Sequence, residues 1–395
     1  MRRSLRVVCR DSLAATPTAA VAKKRPVKDV KVEVKEEATA VTKPRSSSSK
    51  RIKKEPIPSP EKEGTTPEPP ALASKKASKK ELEKAAQLDT YLSFIHTRRE
   101  QTGDSNKLVG AHVSGASGLE NAVFNAAKIG ARAFAFFTRS QRTWTCKPLT
   151  PDTIAAFHAA MKRFGYAPGD VVPHGSYLLN CGSPDAGVLQ KSRDGLLDEV
   201  RRCEALGLSL YNFHPGATKN EISVDECLDL IAESIEQTLQ QTTGVTILVE
   251  NMSNQGSTIG GPFTHLRGII DRVSEEHRHR VGVCLDTCHA FAAGWDLRDD
   301  AYEKTMAEFE ATVGFEYLKA VHLNDSKGDV GCHADRHEKI GRGRVGLEPF
   351  RRLMNDPRFN HIPMIIETPY VDDDGYEEEI SLLYSLHDND KPAIK

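Results

Sequence analysis

Short apolar segments followed by longer amphipathic ones recur along residues 107–387 of this 395-residue chain. Each apolar segment has the length of a buried strand, and each amphipathic segment has the length and spacing of a helix. The eight predicted strands are 109–113, 133–137, 171–173, 208–213, 245–249, 281–285, 317–321 and 362–366. The pattern therefore predicts eight strand–helix units in succession.

Eight such units favour one closed architecture. Parallel strands joined by helices make right-handed crossovers, and eight of them close most simply into a (β/α)8 TIM barrel of about 250 residues. The alternative is an open doubly wound sheet, but no G-x-G-x-x-G segment follows the first strand. We therefore predict an α/β TIM-barrel domain over residues 91–395, preceded by a disordered N-terminal arm.

The predicted arm, residues 1–90, is rich in Lys, Glu, Pro, Ser and Ala and poor in aromatic residues. It holds 22 Lys and Arg against 12 Asp and Glu, a net charge of +10, whereas residues 91–395 hold 32 against 43, a net charge of −11. Such a segment buries too little apolar area to offset the entropy of ordering, which predicts disorder. Its basic clusters at 23–28 and 50–54 are typical of nuclear localisation or nucleic-acid binding, with a solvated linker as the alternative.

These features predict the compartment. The eight cysteines contain no C-x-x-C pair, which favours reduced thiols in an intracellular protein over a disulfide framework. No apolar run approaches the roughly 18 residues that a membrane span needs. We expect a nuclear protein, while the Arg-rich first ten residues are a weaker indication of a mitochondrial share.

Ligand-type side chains follow most of the predicted strands. Six strands are followed at once by an imidazole or a carboxylate: His174, His214, Glu250, Asp286, His322 and Glu367. His289 lies three residues after Asp286, and Asp335 and His337 lie in the loop after the seventh strand. If Asp286 and His289 were the only such residues, the simpler interpretation would be that Asp286 caps the following helix and His289 is a surface histidine. Because all strand ends of a barrel lie on one face, the recurrence predicts a metal site there.

The composition of this set indicates which metals it suits. Five imidazoles among nine ligands point to zinc, with Mn²⁺ or Fe²⁺ as substitutes, since Mg²⁺ and Ca²⁺ prefer mostly oxygen. One zinc takes three or four protein ligands, so nine suit three ions with one bridging carboxylate. Such a cluster can activate water and neutralise charge on both the attacking and leaving oxygens of a phosphodiester.

Several separated motifs resemble one known family. They are G-A-H-V-S at 110–114, F-H-P-G at 213–216, V-E-N-M-S-N-Q-G at 249–256, V-C-L-D-T-C-H-A-F-A-A-G-W-D at 283–296, V-H-L-N-D-S-K at 321–327 and A-D-R-H-E-K-I-G-R-G at 334–343. Together they are similar to the endonuclease IV family, whose members are zinc-dependent apurinic/apyrimidinic endonucleases of base-excision repair. That family has a TIM barrel with three zincs, and the resemblance covers roughly residues 107–387.

The resemblance implies a ligand set and a reaction. One zinc would take His174, His214 and Glu250, a second would take Glu250, Asp286, His322 and Glu367, and a third would take His289, Asp335 and His337. Glu250, as the bridge, would be the catalytic carboxylate beside a hydroxide held between the first two metals. The implied reaction cuts duplex DNA 5′ to an abasic site, leaving a 3′-hydroxyl and a 5′-deoxyribose phosphate, and also cleans blocked 3′ ends.

The resemblance also implies DNA-contacting residues. Arg142, in T-R-S-Q-R-T-W, and Tyr177 and Leu178, in H-G-S-Y-L-L-N, match the loops that enter the duplex at the lesion. Without the resemblance, a solvated arginine and ordinary rim packing would be the interpretation of these three residues. Gly175 stands where some bacterial relatives carry an acid. We expect His112 to support the site or contact phosphate rather than bind metal.

Two other functions remain open from the sequence. A metal-dependent sugar isomerase of similar architecture would carry a carboxylate-rich site, often with a buried lysine, but no predicted strand ends at lysine. A DNA-binding module with structural zincs would usually use cysteine ligands, and none of the nine is cysteine. We expect a monomer that acts on duplex DNA with abasic sites or blocked 3′ ends and does not bind membranes.

Overall fold

The computed structural model of the protein describes residues 78–370 and 373–387. All of these described residues belong to one compact unit. Most of the predicted arm therefore lies outside the described residues. Residues 79–90, which we expected to be disordered, instead form the first half of helix α1 (Lys79–Thr102).

Helix α1, which the sequence pattern did not predict, has a capped N-terminus. The Ser78 hydroxyl accepts a hydrogen bond from the backbone N of Glu81, and the Glu81 carboxylate accepts one from the backbone N of Ser78. This reciprocal capping box satisfies two amide groups that a helix start leaves unpaired. The apolar residues Leu88, Leu92 and Ile95 then pack against the main core, which ties the helix to the body.

Seven strands form one parallel sheet: β1 (Leu108–His112), β2 (Ala133–Ala135), β3 (Leu210–Phe213), β4 (Thr246–Glu250), β5 (Val281–Asp286), β6 (Leu318–His322) and β9 (Pro363–Ile366). Their order across the sheet is β2-β1-β9-β6-β5-β4-β3. Strands β7 (Asp325–Ser326) and β8 (His337–Glu338) form a separate antiparallel pair. The parallel sheet accounts for seven of the eight predicted strands.

The one predicted strand outside this sheet, 171–173, closes the barrel without forming a regular ladder of hydrogen bonds. Val171 bridges Phe134 in β2, and His174 bridges Asn212 in β3. Pro173 lacks an N–H and interrupts the pattern, although its carbonyl still accepts a hydrogen bond of 2.9 Å from the backbone N of Asn212. This segment joins the two edges of the sheet, so the structure confirms the TIM barrel and excludes the open sheet.

Helices follow the strands as the amphipathic pattern predicts. In the described part of the chain these helices are α2 (Glu120–Lys128), α3 (Pro151–Phe164), α4 (Ala186–Ala205), α5 (Val224–Leu239), α6 (Phe263–Arg272), α8 (Thr287–Ala293), α9 (Ala301–Thr312), α10 (Leu347–Asn355) and α11 (Asp373–Ser385). Two described helices were not predicted: α1, which precedes β1, and the short α7 (Glu275–Arg278). None of these described helices combines the length and apolar character needed to span a bilayer.

The barrel interior positions the site. Beneath the strand ends lies a small apolar layer formed by Val172, Leu210, Leu248, Cys284 and Ala320. Two residues further along these segments, towards the carboxyl-terminal face, the side chains are polar: His174, Asn212, Glu250, Asp286 and His322. A firmly packed layer below a polar face holds those side chains in fixed positions.

Candidate metal centre

The structure brings the nine sequence-predicted ligand residues together at the carboxyl-terminal face of the barrel. Two groups have ligand atoms that all lie within 4.8 Å of one another. The first group is His174, Glu250, His322 and Glu367, and the second is Asp286, His289 and His337. His214 and Asp335 contact members of these groups, so the nine residues form one continuous cluster.

Glu250 lies at the centre of the cluster and is fully buried. Its Oε2 is 3.3 Å from Nε2 of His174 and 3.5 Å from Nε2 of His214. Its Oε1 is 3.1 Å from Nδ1 of His322 and 3.2 Å from Nδ1 of His289. Each carboxylate oxygen therefore faces two imidazoles, which is the arrangement that a bridging ligand requires.

Asp335 is reached through the long loop between β7 and β8. Its Oδ1 is 3.2 Å from Nε2 of His289 and 3.1 Å from Nε2 of His337. Nε2 of His337 also lies 3.8 Å from Oδ2 of Asp286. The β7–β8 pair holds both ends of this loop, which explains how a loop carboxylate reaches a site built on strand ends.

Three of the imidazoles are oriented by backbone carbonyls. Nδ1 of His174, His289 and His337 lies 2.8–3.0 Å from a carbonyl oxygen, in the order Gly175, Asn251 and Glu367. A carbonyl only accepts, so Nδ1 carries the proton and the Nε2 lone pair is directed towards the cluster. In all three residues Nε2 is buried and has no hydrogen-bond partner. Lone pairs that face carboxylates across about 3 Å fit a cation between them.

In the absence of a cation, protonated imidazoles balance the negative charge of the carboxylates. Burial alone favours neutral imidazole, but the neighbouring carboxylates of Asp335 and Asp286 raise the pKa of His337 to about 9. For Glu250, burial favours the neutral acid, but the imidazoles of His322 and His214 hold its pKa well below the usual range. The site therefore keeps its carboxylates charged and demands positive charge from protons or metal.

His112 supports the cluster from the side. Its Nδ1 lies 2.8 Å from Oε1 of Glu367, whose Oε2 is 3.0 Å from Nδ1 of His322. The imidazole thus occupies one oxygen of Glu367 and leaves the other facing the cluster. This contact agrees with the expectation that His112 assists rather than belongs to the ligand set.

Three asparagines, which the sequence analysis did not single out, hold the carboxylates. Nδ2 of Asn212 donates to Oε2 of Glu250 at 2.6 Å, and Nδ2 of Asn324 donates to Oδ2 of Asp286 at 2.6 Å. Oδ1 of Asn251 accepts from the backbone N of Asp286 at 2.6 Å. All three asparagines are fully buried. Their signal in the sequence is that each lies within two residues of a predicted ligand.

The residues expected to contact DNA lie on the same face. Tyr177 is 57% exposed, and its ring centroid is 5.4 Å from that of His174 and 5.5 Å from that of His214. Leu178 is half-buried beside it, and Arg142 is exposed in the loop after β2. A cavity of about 770 Å³ opens next to the cluster, with His112, Gln141 and Tyr370 in its wall. The Tyr177 ring therefore lies against the imidazoles of His174 and His214, and the cavity opens on the same face.

Comparison with known proteins identifies similar chains. A family model described as a xylose isomerase-like TIM barrel matches residues 123–386. Endonuclease IV from Thermus thermophilus has a TM-score of 0.62 at 29% sequence identity, over 70% of this chain and 98% of that one. A D-tagatose 3-epimerase-like protein has a TM-score of 0.53 at 20% identity, over 70% and 97% of the two chains. An L-ribulose 3-epimerase has a TM-score of 0.50 at 14% identity, over 72% and 100%. The two epimerases, at these identities, share the fold alone.

Proposed function

The chain belongs to the xylose isomerase-like TIM-barrel family, and from that premise we propose that it is a DNA-repair endonuclease. It hydrolyses the phosphodiester on the 5′ side of an abasic site in duplex DNA, leaving a 3′-hydroxyl and a 5′-deoxyribose phosphate. The same centre removes blocking groups from 3′ ends. The motif resemblance to the endonuclease IV family agrees with the similarity to the Thermus endonuclease IV. The observation that carries the proposal is the cluster of five imidazoles and four carboxylates around Glu250.

The donor set suits three zinc ions. The nine side chains divide into three sets, of which the first two share Glu250: His174, His214 and Glu250; Glu250, Asp286, His322 and Glu367; and His289, Asp335 and His337. Divalent cations in such a site lower the pKa of water and neutralise charge on the oxygens of a phosphodiester. The mixed imidazole and carboxylate donors would accept Mn²⁺ or Fe²⁺ in place of zinc.

The side chains of the protein prepare this site before substrate arrives. Glu250 supplies a charged carboxylate that faces imidazoles on both sides, and Asn212 holds it in one orientation. The backbone carbonyls that accept from Nδ1 keep His174 and His337 in the tautomer whose Nε2 can coordinate. Because these groups are buried and already aligned, little reorganisation is needed during reaction.

The rim of the barrel supplies lesion selectivity in this proposal. Tyr177, beside the imidazoles of His174 and His214, and its neighbour Leu178 would fill the space that an extruded nucleotide leaves. Arg142 would enter the base stack or contact a phosphate. An abasic nucleotide has lost its stacking partner, so its extrusion costs less than that of an intact nucleotide. The protein can therefore select the lesion without reading a base.

The epimerase-like structures make sugar isomerisation the alternative to test. Against it, none of the eight described strand segments ends at a lysine, and imidazoles outnumber carboxylates in the cluster. The deciding experiment incubates the protein with a labelled duplex that bears one abasic site, with and without a chelator, and in parallel with aldoses and ketoses. A chelator-sensitive nick 5′ to the abasic site supports the proposal. Sugar conversion without nicking would contradict it.

The N-terminal segment completes the proposal. Its clusters at 23–28 and 50–54 would direct the protein to the nucleus and add non-specific DNA affinity, with a smaller mitochondrial share. The net charge of −11 over residues 91–395 opposes DNA at long range, so a basic segment has a physical role in association. We expect the protein to act as a monomer.

A further inference from the structure

Glu199 is a buried carboxylate that the proposed metal sites do not use. It lies on α4 and is 1% exposed. Its Oε2 accepts hydrogen bonds from the backbone N of Ser176 at 3.2 Å and from the hydroxyl of Tyr211 at 3.1 Å. Burial raises the pKa of Glu199 to about 7, against the opposing charge of Arg139 and the bonds from Tyr211 and Ser176. A buried acid with such partners calls for a specific role.

The first partner connects Glu199 to the loop that carries Tyr177 and Leu178. Ser176 immediately precedes these two residues, and its backbone N is held by Glu199. The Ser176 hydroxyl in turn accepts from the backbone N of Leu178 at 3.3 Å. Glu199 therefore fixes the base of the loop from below.

Arg139 connects Glu199 to the loop that carries Arg142. Nε of Arg139 lies 3.9 Å from Oε1 of Glu199, and its Nη1 lies 2.8 Å from Oδ2 of Asp198. Nη2 of Arg139 donates to the carbonyl of Trp144 at 2.5 Å. Arg142 lies between the two residues that this contact joins. The loop is thus held against the same turn of α4.

A direct contact also joins the two loops. The hydroxyl of Ser176 donates to the carbonyl of Gln141 at 3.2 Å. Gln141 precedes Arg142, and Ser176 precedes Tyr177. Glu199 therefore lies beneath the point where the two lesion-facing loops meet.

Gly175 leaves the space that this arrangement needs. A Cβ at position 175 would lie 2.5 Å from the hydroxyl oxygen of Tyr211 and 2.8 Å from Cβ of Phe213. Both distances are shorter than real Cβ contacts, so any side chain there would displace Tyr211. The Tyr211 hydroxyl therefore fits at this position because residue 175 is glycine and has no side chain.

We propose that Glu199 is a positioning residue that fixes the two lesion-facing loops relative to each other, and that Tyr211, admitted by Gly175, holds it in place. This inference rests on the proposed function, because the loops matter only if the substrate is a lesion in duplex DNA. A wedge made from two loops works best when their spacing is set before DNA binds, since ordering them afterwards costs affinity. Glu199 touches neither the DNA nor the reacting atoms in this account.

The mild test removes one hydroxyl. Tyr211→Phe keeps the ring and deletes only the hydrogen bond to Glu199. The matched control is Tyr302→Phe, because Tyr302 is equally buried and donates to Oδ2 of Asp356 at 2.9 Å, away from the proposed site. We expect Tyr211→Phe to lower kcat/KM on an abasic duplex by about three- to tenfold, the range of one net hydrogen bond. Zinc content should not change, and Tyr302→Phe should leave kcat/KM as it is.

A second substrate separates positioning from simple stability. On a duplex whose abasic nucleotide is already unstacked in a bulge, the loops do not have to unstack it. The loss of kcat/KM caused by Tyr211→Phe should therefore be smaller on this substrate. Glu199→Gln should show the same dependence on substrate with a larger loss. Equal losses on both substrates would overturn the inference. Tyr211→Phe keeps the test available if Glu199→Gln does not fold.

Combined changes test whether Glu199 acts through the loops. In protein that already carries Arg142→Ala, Tyr177→Ala and Leu178→Ala, Glu199→Gln should cause little further loss, because its targets are gone. Full additivity would overturn the inference while leaving the proposed function standing. Wild-type protein that does not nick abasic duplex would instead contradict the proposed function, and this inference with it.

Discussion

The amide of Asn212 donates a hydrogen bond of 2.6 Å to Oε2 of Glu250, and both side chains are fully buried. Oε2 is also the oxygen that faces the Nε2 atoms of His174 and His214. The amide therefore holds the carboxylate in the plane in which its two oxygens face different imidazoles. A hydrogen bond that orients a ligand is as much a part of a metal site as the ligand itself.

Loss of this amide should weaken metal binding without unfolding the barrel. For Asn212→Ala we expect zinc affinity to fall by about 10- to 100-fold, the usual effect of removing an outer partner of a metal ligand. Competition with a chromogenic chelator measures it. The control is Asn355→Ala, which loses an amide bonded to the carbonyl of Leu386, outside the cluster. Equal affinities for wild type and Asn212→Ala would show that the amide does not orient Glu250.

Glu250→Gln should abolish turnover while the fold and DNA binding persist. The change keeps the shape of the side chain but removes the charge that four imidazoles now face, so two cations could not share it. Incision assays, gel shifts and circular dichroism check the three expectations. Glu236→Gln serves as the control, because that carboxylate also contacts an imidazole, His277, at 2.7 Å but is not among the nine residues. Near-normal incision by Glu250→Gln would mean that another residue forms the bridge.

Arg142→Ala, and separately the pair Tyr177→Ala and Leu178→Ala, should reduce incision of stacked abasic duplex sharply at unchanged metal content. The loss should shrink when the abasic nucleotide is already unstacked, because unstacking costs a few kcal/mol only where stacking exists. Measuring both substrates with each variant separates wedging from general DNA binding. Arg163→Ala, on the outer helix α3, is the control for loss of one positive charge. Equal losses on the two substrates would leave these residues with a backbone-holding role only.

Removal of residues 1–77 should weaken DNA binding and flatten its salt dependence, with turnover at saturating substrate unchanged. Each neutralised phosphate contributes about −0.9 to the slope of log affinity against log salt, so lost lysines reduce that slope. The cut is placed before Ser78 because that residue caps α1, and a cut at residue 90 would remove half of a helix that packs on the body. An unchanged slope would assign the segment to targeting alone.

The barrel and the convergence of most of the nine candidate ligand residues were predictable from the sequence because both depend on local patterns. Apolar segments identified the strands, and the residue after six of the eight segments faces the cluster because parallel strands end on one face. The segment at 171–173 was predicted as an ordinary strand, but Pro173 prevents the ladder. The helix start at Lys79 was missed because the apolar residues of α1 that pack on the core begin only at Leu88, nine residues after that start.

The supporting contacts could not be predicted in the same way. Glu199 and Tyr211 meet only because α4 packs across β3, and their spacing along the chain carries no motif. Asn212, Asn251 and Asn324 precede or follow ligands, yet an asparagine at a strand end is equally consistent with a turn. Which carboxylate oxygen each amide holds depends on side-chain orientation, and that follows from three-dimensional packing.

Zinc readdition to metal-free protein measures whether incision depends on a three-zinc centre. The protein is stripped with a chelator, dialysed, and titrated with zinc while bound metal and incision of a single-abasic-site duplex are measured on the same samples. We expect no incision without metal, and incision that rises with zinc to a plateau close to three ions per chain, with no requirement for Mg²⁺. Full incision by protein that holds one metal ion or none would contradict this expectation.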